Sequence, residues 1–206
     1  RIAQMKVGVL ISGRGSNLKS LIDACASPDF PAEIVLVISN KADAGGLEFA
    51  RAAGIATRVV SHRDYDSREA FDRVMDKALR EAGADFVCSA GFMRILSDEF
   101  VDKWRDRQLN IHPSLLPAFK GLNVYARAIE AGCKVSGCTV HFVRAAMDEG
   151  PIVAQTAVPV LEGDTPDTLA ARILDAEHKL YPHALRLVAE GRVTIADERC
   201  VIRGDT

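Results

Sequence analysis

The sequence predicts an α/β fold in which a mostly parallel sheet has helices on both faces and gains antiparallel strands in the C-terminal half. Short, continuously apolar runs alternate with segments of helical periodicity through the first half of the chain. Strands of that composition are usually buried on both faces, as in parallel sheets. In the second half, one run alternates in side-chain character, which is typical of an antiparallel strand. Together these patterns favour a Rossmann-like architecture with additions at a sheet edge.

The first half is predicted to contain four strands, at residues 6–11, 33–39, 56–60 and 85–90. A helix follows each of them, at residues 16–26, 44–53, 67–82 and 97–104. Gly54 and Gly83 suit the ends of the second and third helices. Because each strand is followed by a helix, right-handed crossovers between parallel strands are expected.

The second half is predicted to contain strands at 136–143 and 152–160, and helices at 123–131 and from position 166 onward, while residues 108–111 enter the loop at 110–117. Thr165 fits the N-cap of the last helix and Pro166 its first turn. Pro182 is expected to kink this helix or split it in two. Gly191 is expected to end it, before a tail of short strand or coil.

Composition predicts one globular domain of residues 1–206, with an N-terminal half of 1–105 and a C-terminal half of 106–206. A net charge of −2 and a pI of about 6.2 give no indication of binding to bulk nucleic acid or anionic membranes. The chain has no apolar run near the roughly 20 residues of a membrane span and no signal-peptide pattern. We therefore expect a cytoplasmic protein, with residues 1–4 as a frayed end or an addition to the native sequence.

The chain has five cysteines, an odd number, and no Cys-x-x-Cys pair. Cys88 and Cys138 lie in apolar runs, where a free cysteine behaves as a small buried hydrophobic side chain. All five are predicted to be thiols of a reducing compartment. No metal is expected, because the Cys and His residues lack ligand spacing.

A glycine-rich segment, Ser-Gly-Arg-Gly-Ser-Asn at residues 12–17, lies between the first strand and the first helix. Glycines let the backbone approach a ligand, and the helix N-terminus favours an anion. Leu18 replaces the third glycine of the dinucleotide fingerprint, and no Gly-Lys-Ser/Thr follows. The segment predicts a site for one phosphate monoester; a tight turn without a ligand is the alternative.

Asn110 and His112 follow a short apolar stretch and, if the segment is extended, point to the same side. A histidine titrates near neutrality, a nearby carboxylate such as Asp148 would favour its charged form, and an amide can donate to an oxyanion. On spacing alone, Asn-x-His also fits a loop histidine bonded to the backbone. The phosphate loop favours catalysis, since ligands bind outside the carboxyl ends of parallel strands, which both loops follow.

The run at residues 91–96 could line a pocket for a flat heteroaromatic ligand, although such a pattern is more often core packing. Glu177 is, by pattern, a solvated helix charge. Three histidines fit surface or helix-face positions, namely His62, His178 and His183.

Motifs along about residues 5–195 resemble those of the phosphoribosylglycinamide formyltransferases, folate-dependent enzymes of purine synthesis. They are VLISGRGSNL, the segment 39–50, SREAFD, AGFMRIL, LNIHPSLLPAFKGL, GCTVHFV, MDEGPIVAQ and AEHKLYP. One departure is Asn123, where many relatives carry histidine. The resemblance also implies a cis bond at Leu116–Pro117, which is plausible because cis bonds are nearly confined to X-Pro.

The resemblance implies three sets of site residues. The glycinamide ribonucleotide set is Gly15, Ser16, Asn17, Pro113, His141 and Glu177. The set for 10-formyltetrahydrofolate, the co-substrate, is Arg68, Met93, Arg94, Ile95, Leu96, Asn110 and Arg144, with the loop 144–148 closing over the pteridine. The catalytic set is Asn110, His112 and Asp148.

The implied reaction is direct formyl transfer, in which the nucleotide amine attacks the formyl carbon. His112 is expected to act as general acid and Asn110 as oxyanion donor, while Asp148 holds His112 charged. Alternatives are a 10-formyltetrahydrofolate hydrolase, which needs no phosphate loop, and a methionyl-tRNA formyltransferase, for which a C-terminal extension and a basic surface are expected. A non-catalytic phosphate-ligand sensor would leave the catalytic set without a role. A monomer or homodimer is expected.

Overall fold

The computed structural model describes residues 3–204, so part of the predicted frayed end at 1–4 lies outside the described residues. The chain divides into two compact units, the first ending at Leu109 and the second beginning at Asn110. The prediction of a single domain with halves divided after residue 105 stays a prediction.

Seven strands form the main sheet, in the order β3-β2-β1-β4-β5-β6-β7. Their bounds are Met5–Ile11 (β1), Ala32–Ser39 (β2), Thr57–Val59 (β3), Phe86–Ser89 (β4), Gln108–His112 (β5), Val135–Phe142 (β6) and Ile152–Pro159 (β7). In the first unit, β1 pairs in parallel with β2 and β4, and β2 with β3. In the second unit, β6 and β7 are antiparallel. The predicted fold class is therefore confirmed.

Four helices pack in the first unit: Ser16–Cys25 (α1), Gly46–Ala52 (α2), Arg68–Glu81 (α3) and Asp98–Lys103 (α4). Ser67 and Ser97 cap α3 and α4, since each hydroxyl accepts a hydrogen bond from the N–H three residues later. The α3 and α4 helices share with the strands a core that contains Phe71, Met75 and Trp104. Local capping and apolar periodicity therefore place these helices within a few residues of the predicted bounds.

The second unit contains two helices, Val124–Glu130 (α5) and Pro166–Ala189 (α6). A capping box with Thr165 begins α6, as predicted. Of the two outcomes predicted for Pro182, the split is wrong, because α6 continues through it, and the kink stays a prediction. Proline removes only one backbone hydrogen bond here, while Tyr181 and Leu185 beside it are fully buried and hold the helix against its unit.

The predicted tail of strand or coil is a hairpin of Val193–Ala196 (β8) and Arg199–Ile202 (β9). Its two-residue turn places Asp197 and Glu198 at φ of 51° and 58°, as a type I′ turn requires. Among the described residues, no helix is both long enough and apolar enough to cross a membrane.

Candidate functional site

The phosphate-loop segment turns through Gly15, which has φ of 75° and precedes α1. No side chain caps the start of α1 and its first turn contains no acidic residue, so the helix dipole favours an anion there. A Cβ atom at Gly15 would lie 2.4 Å from the Cα of Gly46 in α2. The loop therefore needs glycine at position 15 both for its conformation and for this close approach.

Buried side chains tie together three loops at the carboxyl ends of the first-unit strands. The Ser12 hydroxyl donates to Asn40 Oδ1 at 2.6 Å and accepts from the Met93 N–H at 2.8 Å. Asn40 Nδ2 lies 3.4 Å from Nδ1 of His62. Ser12 thus connects the start of the phosphate loop with the loop that follows β4, and one of the Met93 main-chain groups is engaged within the protein.

Two side chains of the loop after β4 are exposed to solvent, although core packing was the alternative prediction for residues 91–96. Met93 and Ile95 are 69% and 59% exposed, so that alternative is wrong for both. Arg94 and Leu96 are half-buried, and Leu96 packs against the core. Arg68 is exposed at the first position of α3. Two apolar side chains exposed on one short loop form a surface that could accept an apolar ligand.

The second unit brings His112 and Asp148 together. His112 ends β5, and its Nδ1 lies 3.6 Å from Oδ2 of Asp148, with both side chains only 8% exposed. Asp148 has φ of 57°, and its Oδ2 also accepts from the Gly121 N–H at 2.9 Å. Asn110 lies two residues before His112 on the same strand, so both side chains share one face as predicted.

The other nitrogen of His112 has a backbone partner. Nε2 lies 2.9 Å from the carbonyl oxygen of Phe119, so the alternative of a histidine bonded to the backbone holds for this nitrogen. Because a carbonyl can only accept, Nε2 carries a hydrogen in this arrangement. Both ring nitrogens therefore face acceptors, and the ring is fixed at two points.

His141 and Glu177, both expected to contact the nucleotide, are buried in the second unit at 3% and 5% exposure. Nδ1 of His141 donates to the Phe142 carbonyl at 2.9 Å, which leaves Nε2 as a buried acceptor without a protein partner among the described residues. Burial lowers the pKa of His141, outweighing the Phe142 hydrogen bond and the Asp148 charge. Its imidazole is therefore neutral at pH 7 and can accept one hydrogen bond.

The environment of Glu177 contradicts its interpretation as a solvated helix charge. Burial, and after it the charge of Glu177, raises the pKa of Tyr125 to about 12 and that of Cys138 to about 12. The carboxyl thus lies in a poorly hydrated region beside α5 and β6. A buried carboxylate of this kind is retained where it serves a ligand or a fixed network.

The remaining predicted site residues of the second unit lie on loops. Pro113 is half-buried directly after His112, and the bond Leu116–Pro117 is cis, as the resemblance implied. Arg144 donates to both carboxylate oxygens of Glu198, at 2.8 and 3.3 Å. A cavity of about 330 Å³ adjoins Asp148 and is lined also by Leu116, Pro117, Lys120, Glu149, Gly150 and Ile152.

The model of the formyl transferase family matches residues 5–185 of this chain. This chain belongs to the formyl transferase family. It is 45% identical over 200 residues to the phosphoribosylglycinamide formyltransferase of Escherichia coli K12, covering 97% of this chain and 94% of that protein. The glycinamide ribonucleotide transformylase 1 structure from Symbiobacterium toebii matches with a TM-score of 0.94 and 50% identity, covering 97% of this chain and 94% of that one.

The formyl transferase chain also matches a longer protein. It is 55% identical over 192 residues to the bovine trifunctional purine biosynthetic protein adenosine-3. That match covers 93% of this chain but only 19% of the bovine protein. The predictions of family and of enzyme class are confirmed by these relatives.

Several residues that organise the formyl transferase site were missed from the sequence. Ser12 and Asn40 were not assigned, although Ser12 lies in the glycine-rich segment; Phe119, Gly121 and Arg127 were not assigned either. A backbone carbonyl or N–H leaves no signal in a sequence, so the Phe119 and Gly121 contacts could not have been found. Within residues 3–204, no group of three or more His, Cys, Asp or Glu side chains could hold a metal ion.

Proposed function

We propose that this formyl transferase moves the formyl group of 10-formyltetrahydrofolate to the primary amine of glycinamide ribonucleotide, a reaction of de novo purine (IMP) biosynthesis. The observation that carries the proposal is the buried pair of His112 and Asp148 at the end of β5. An imidazolium held by a carboxylate is a suitable acid for the tetrahedral intermediate of acyl transfer. The identity with relatives of that activity supports the substrate choice.

In the proposed reaction, the nucleotide amine attacks the formyl carbon directly and no covalent enzyme intermediate forms. Asn110 donates from its amide to the developing oxyanion, and His112 acts there as general acid. Asp148 holds His112 charged and, through water, helps to move a proton from the amine to the departing folate nitrogen. Proximity of the two bound substrates supplies much of the rate acceleration.

We assign nucleotide binding to groups whose local chemistry suits it. Gly15, Ser16 and Asn17 at the start of α1 would bind the phosphate, since that terminus is uncapped and lacks acidic residues. Glu177 would accept from the ribose hydroxyls, and Pro113 would lie near the sugar. His141 would accept a hydrogen bond from the substrate amine, because its Nε2 is an unprotonated, buried acceptor.

We assign folate binding to Arg68, Arg94, Arg144 and the loop of Met93, Ile95 and Leu96, together with Asn110. The fit rests on the exposed apolar side chains of that loop and on its positive surroundings. Burial is the largest cause that lowers the pKa of His62, and the charges of Arg94, Arg63 and Lys41 lower it further. These three charges indicate a cationic region suited to the folate carboxylates. Arg144 would have to exchange Glu198 for the ligand or act while bonded to it.

A spectrophotometric assay of the folate product, with and without glycinamide ribonucleotide, tests the proposal. Nucleotide-dependent turnover supports the transferase, nucleotide-independent turnover would indicate the hydrolase, and no turnover would indicate the sensor. His112→Ala should lose about 10²- to 10⁴-fold in kcat. A near wild-type rate in this variant would exclude His112 as the acid. Cytoplasmic location and a monomeric or homodimeric state stay predictions.

A further inference from the structure

The ring of His112 is oriented by a loop, residues 117–122, that begins at the cis proline. The Phe119 carbonyl accepts from His112 Nε2 at 2.9 Å and from the Ser114 hydroxyl at 3.1 Å. With its hydrogen on Nε2, His112 can gain or lose a proton only at Nδ1, which faces Asp148. The position of one carbonyl therefore determines which nitrogen exchanges the proton.

Phe119 does not hold this conformation by itself. Its φ is 53°, and a left-handed conformation of a non-glycine residue is unfavourable and persists only where the surroundings impose it. The Ser114 hydroxyl donates at 2.6 Å to the Ala118 carbonyl and so holds one side of the turn. The Gly121 N–H, bonded to Asp148, holds the other side.

Arg127 of α5 contacts this loop at three points. Its Nη1 donates to the Lys120 carbonyl at 2.6 Å and to the Leu122 carbonyl at 3.0 Å. Its guanidinium carbon lies 5.5 Å from the centroid of the Phe119 ring, within the range of a cation–π contact. The rigid planar head group thus contacts Phe119 and the residues on both sides of Gly121.

We propose that Arg127 is a positioning residue for His112, acting by holding residues 119–122 so that the Phe119 carbonyl keeps the hydrogen of His112 on Nε2. Arg127 touches no reacting atom in this role. The inference rests on the proposed function for its kinetic consequence, because kcat depends on the protonation of His112 only if His112 acts as the acid. The effect on the ring itself does not depend on the reaction.

Nitrogen-15 NMR of the histidine rings measures this effect directly, since protonated and bare ring nitrogens have distinct shifts. In the neutral ring, reached by raising the pH until the nitrogen shifts stop changing, wild-type His112, identified by the signal lost in His112→Ala, should show a protonated Nε2 and an unprotonated Nδ1. Arg127→Met keeps an unbranched helix-forming chain but removes the donors; it should show averaging between the tautomers. Arg127→Lys keeps a hydrogen-bond donor but loses the planar guanidinium, so its His112 ring spectrum should be intermediate between those of wild type and Arg127→Met.

Kinetics provide the second measurement. Arg127→Met should lose about 10- to 100-fold in kcat, the usual cost of a misplaced catalytic group, with little change in KM for glycinamide ribonucleotide. Arg51→Met is the matched control, because Arg51 is an exposed helix arginine with one ion pair, to Glu48; it should behave as wild type. If thermal unfolding shows that Arg127→Met does not fold, the ring spectrum and kcat of Arg127→Lys test the proposal instead.

Two results would overturn the proposal. In the first, Arg127→Met keeps the wild-type His112 ring spectrum, whatever its kcat. In the second, the ring spectrum changes and kcat does not. Absence of formyl transfer by the wild-type enzyme would instead contradict the proposed function, and the ring spectra would still decide whether Arg127 positions His112.

Discussion

The two units build their proposed binding groups from different parts of the chain. In the first unit, the phosphate loop uses the main chain: the left-handed Gly15, the uncapped start of α1 and the close approach of Gly46. In the second unit, the proposed catalytic group uses side chains, His112 and Asp148, whose orientation depends on backbone groups of Phe119 and Gly121. The first region should therefore be sensitive to added atoms, and the second to changes of charge and protonation.

The regions also differ in how far apart their proposed binding groups lie in the sequence. The main-chain groups of the phosphate loop lie within six consecutive residues, although Gly15 approaches Gly46 and the Ser12 side chain bonds to Asn40 and to Met93. Asp148 contacts Gly121 from 27 residues away, and His112 and Asp148 lie on different elements. A short motif can encode the first arrangement, whereas the second exists only in the folded unit.

Among the substitutions that compare the two regions, Asp148→Asn is expected to have the largest effect. The amide oxygen can still accept from the Gly121 N–H, so the loop should keep its shape while the charge beside His112 is lost. We expect kcat to fall by about 10²- to 10³-fold, with the affinity for glycinamide ribonucleotide, measured by calorimetry, nearly unchanged. A loss of kcat below about threefold, far under the contribution of a general acid, would show that the charge of Asp148 is not needed.

Gly15→Ala tests the main-chain region and should have the second largest effect. The new Cβ would meet the Gly46 backbone, and the positive φ alone costs about 1–2 kcal/mol for an alanine. We expect a lower thermal unfolding midpoint and a raised KM for the nucleotide, with a smaller change in KM for the folate.

Gly13→Ala is the matched control for that substitution. A Cβ at Gly13 would meet no atom within 4 Å, and Gly13 has no positive φ. Its KM and unfolding midpoint should stay close to wild type. If both substitutions raise KM and lower the unfolding midpoint equally, neither glycine position tolerates a side chain, and Gly15 has no special role.

Much of the fold was predictable because its signals are local. Ser67, Ser97 and Thr165 cap helices where the sequence pattern placed them. Apolar runs predicted the strands, since burial on both faces requires them. The passage of α6 through Pro182 was not predictable, because buried neighbours of that proline, set by tertiary packing, hold the helix together.

The candidate site was predictable only in part. The motif around His112 indicated the acid, but the burial of Glu177 contradicts its helix pattern, and only the family resemblance pointed to it. The ion pair of Arg144 with Glu198 joins residues 54 apart and depends on a hairpin turn with two positive φ values. Such contacts arise from backbone geometry that residue types specify weakly.

A buried acid in the first unit provides a counterpart to Asp148. Asp72 of α3 is 2% exposed, and one of its oxygens accepts from the Ser97 N–H at 2.6 Å, as Asp148 accepts from Gly121. Within the described residues 3–204, the other Asp72 oxygen is buried without a hydrogen-bond partner, and no histidine pairs with this carboxylate. Asp72→Asn should therefore leave kcat unchanged, in contrast to Asp148→Asn.

The smallest effect is a change in the pH dependence of stability in Asp72→Asn. Burial raises the pKa of Asp72, outweighing the hydrogen bonds from Ser97 and the charge of Arg68. The folded state thus binds this proton more tightly than the unfolded state. The contribution of Asp72 to the free energy of unfolding is therefore most favourable below the unfolded pKa of about 3.9. It is lost as pH rises through the pKa of the folded state. The asparagine variant avoids this loss. Urea unfolding between acid and neutral pH should show wild type losing stability relative to Asp72→Asn as pH rises; a constant difference would mean that Asp72 has the same pKa in both states.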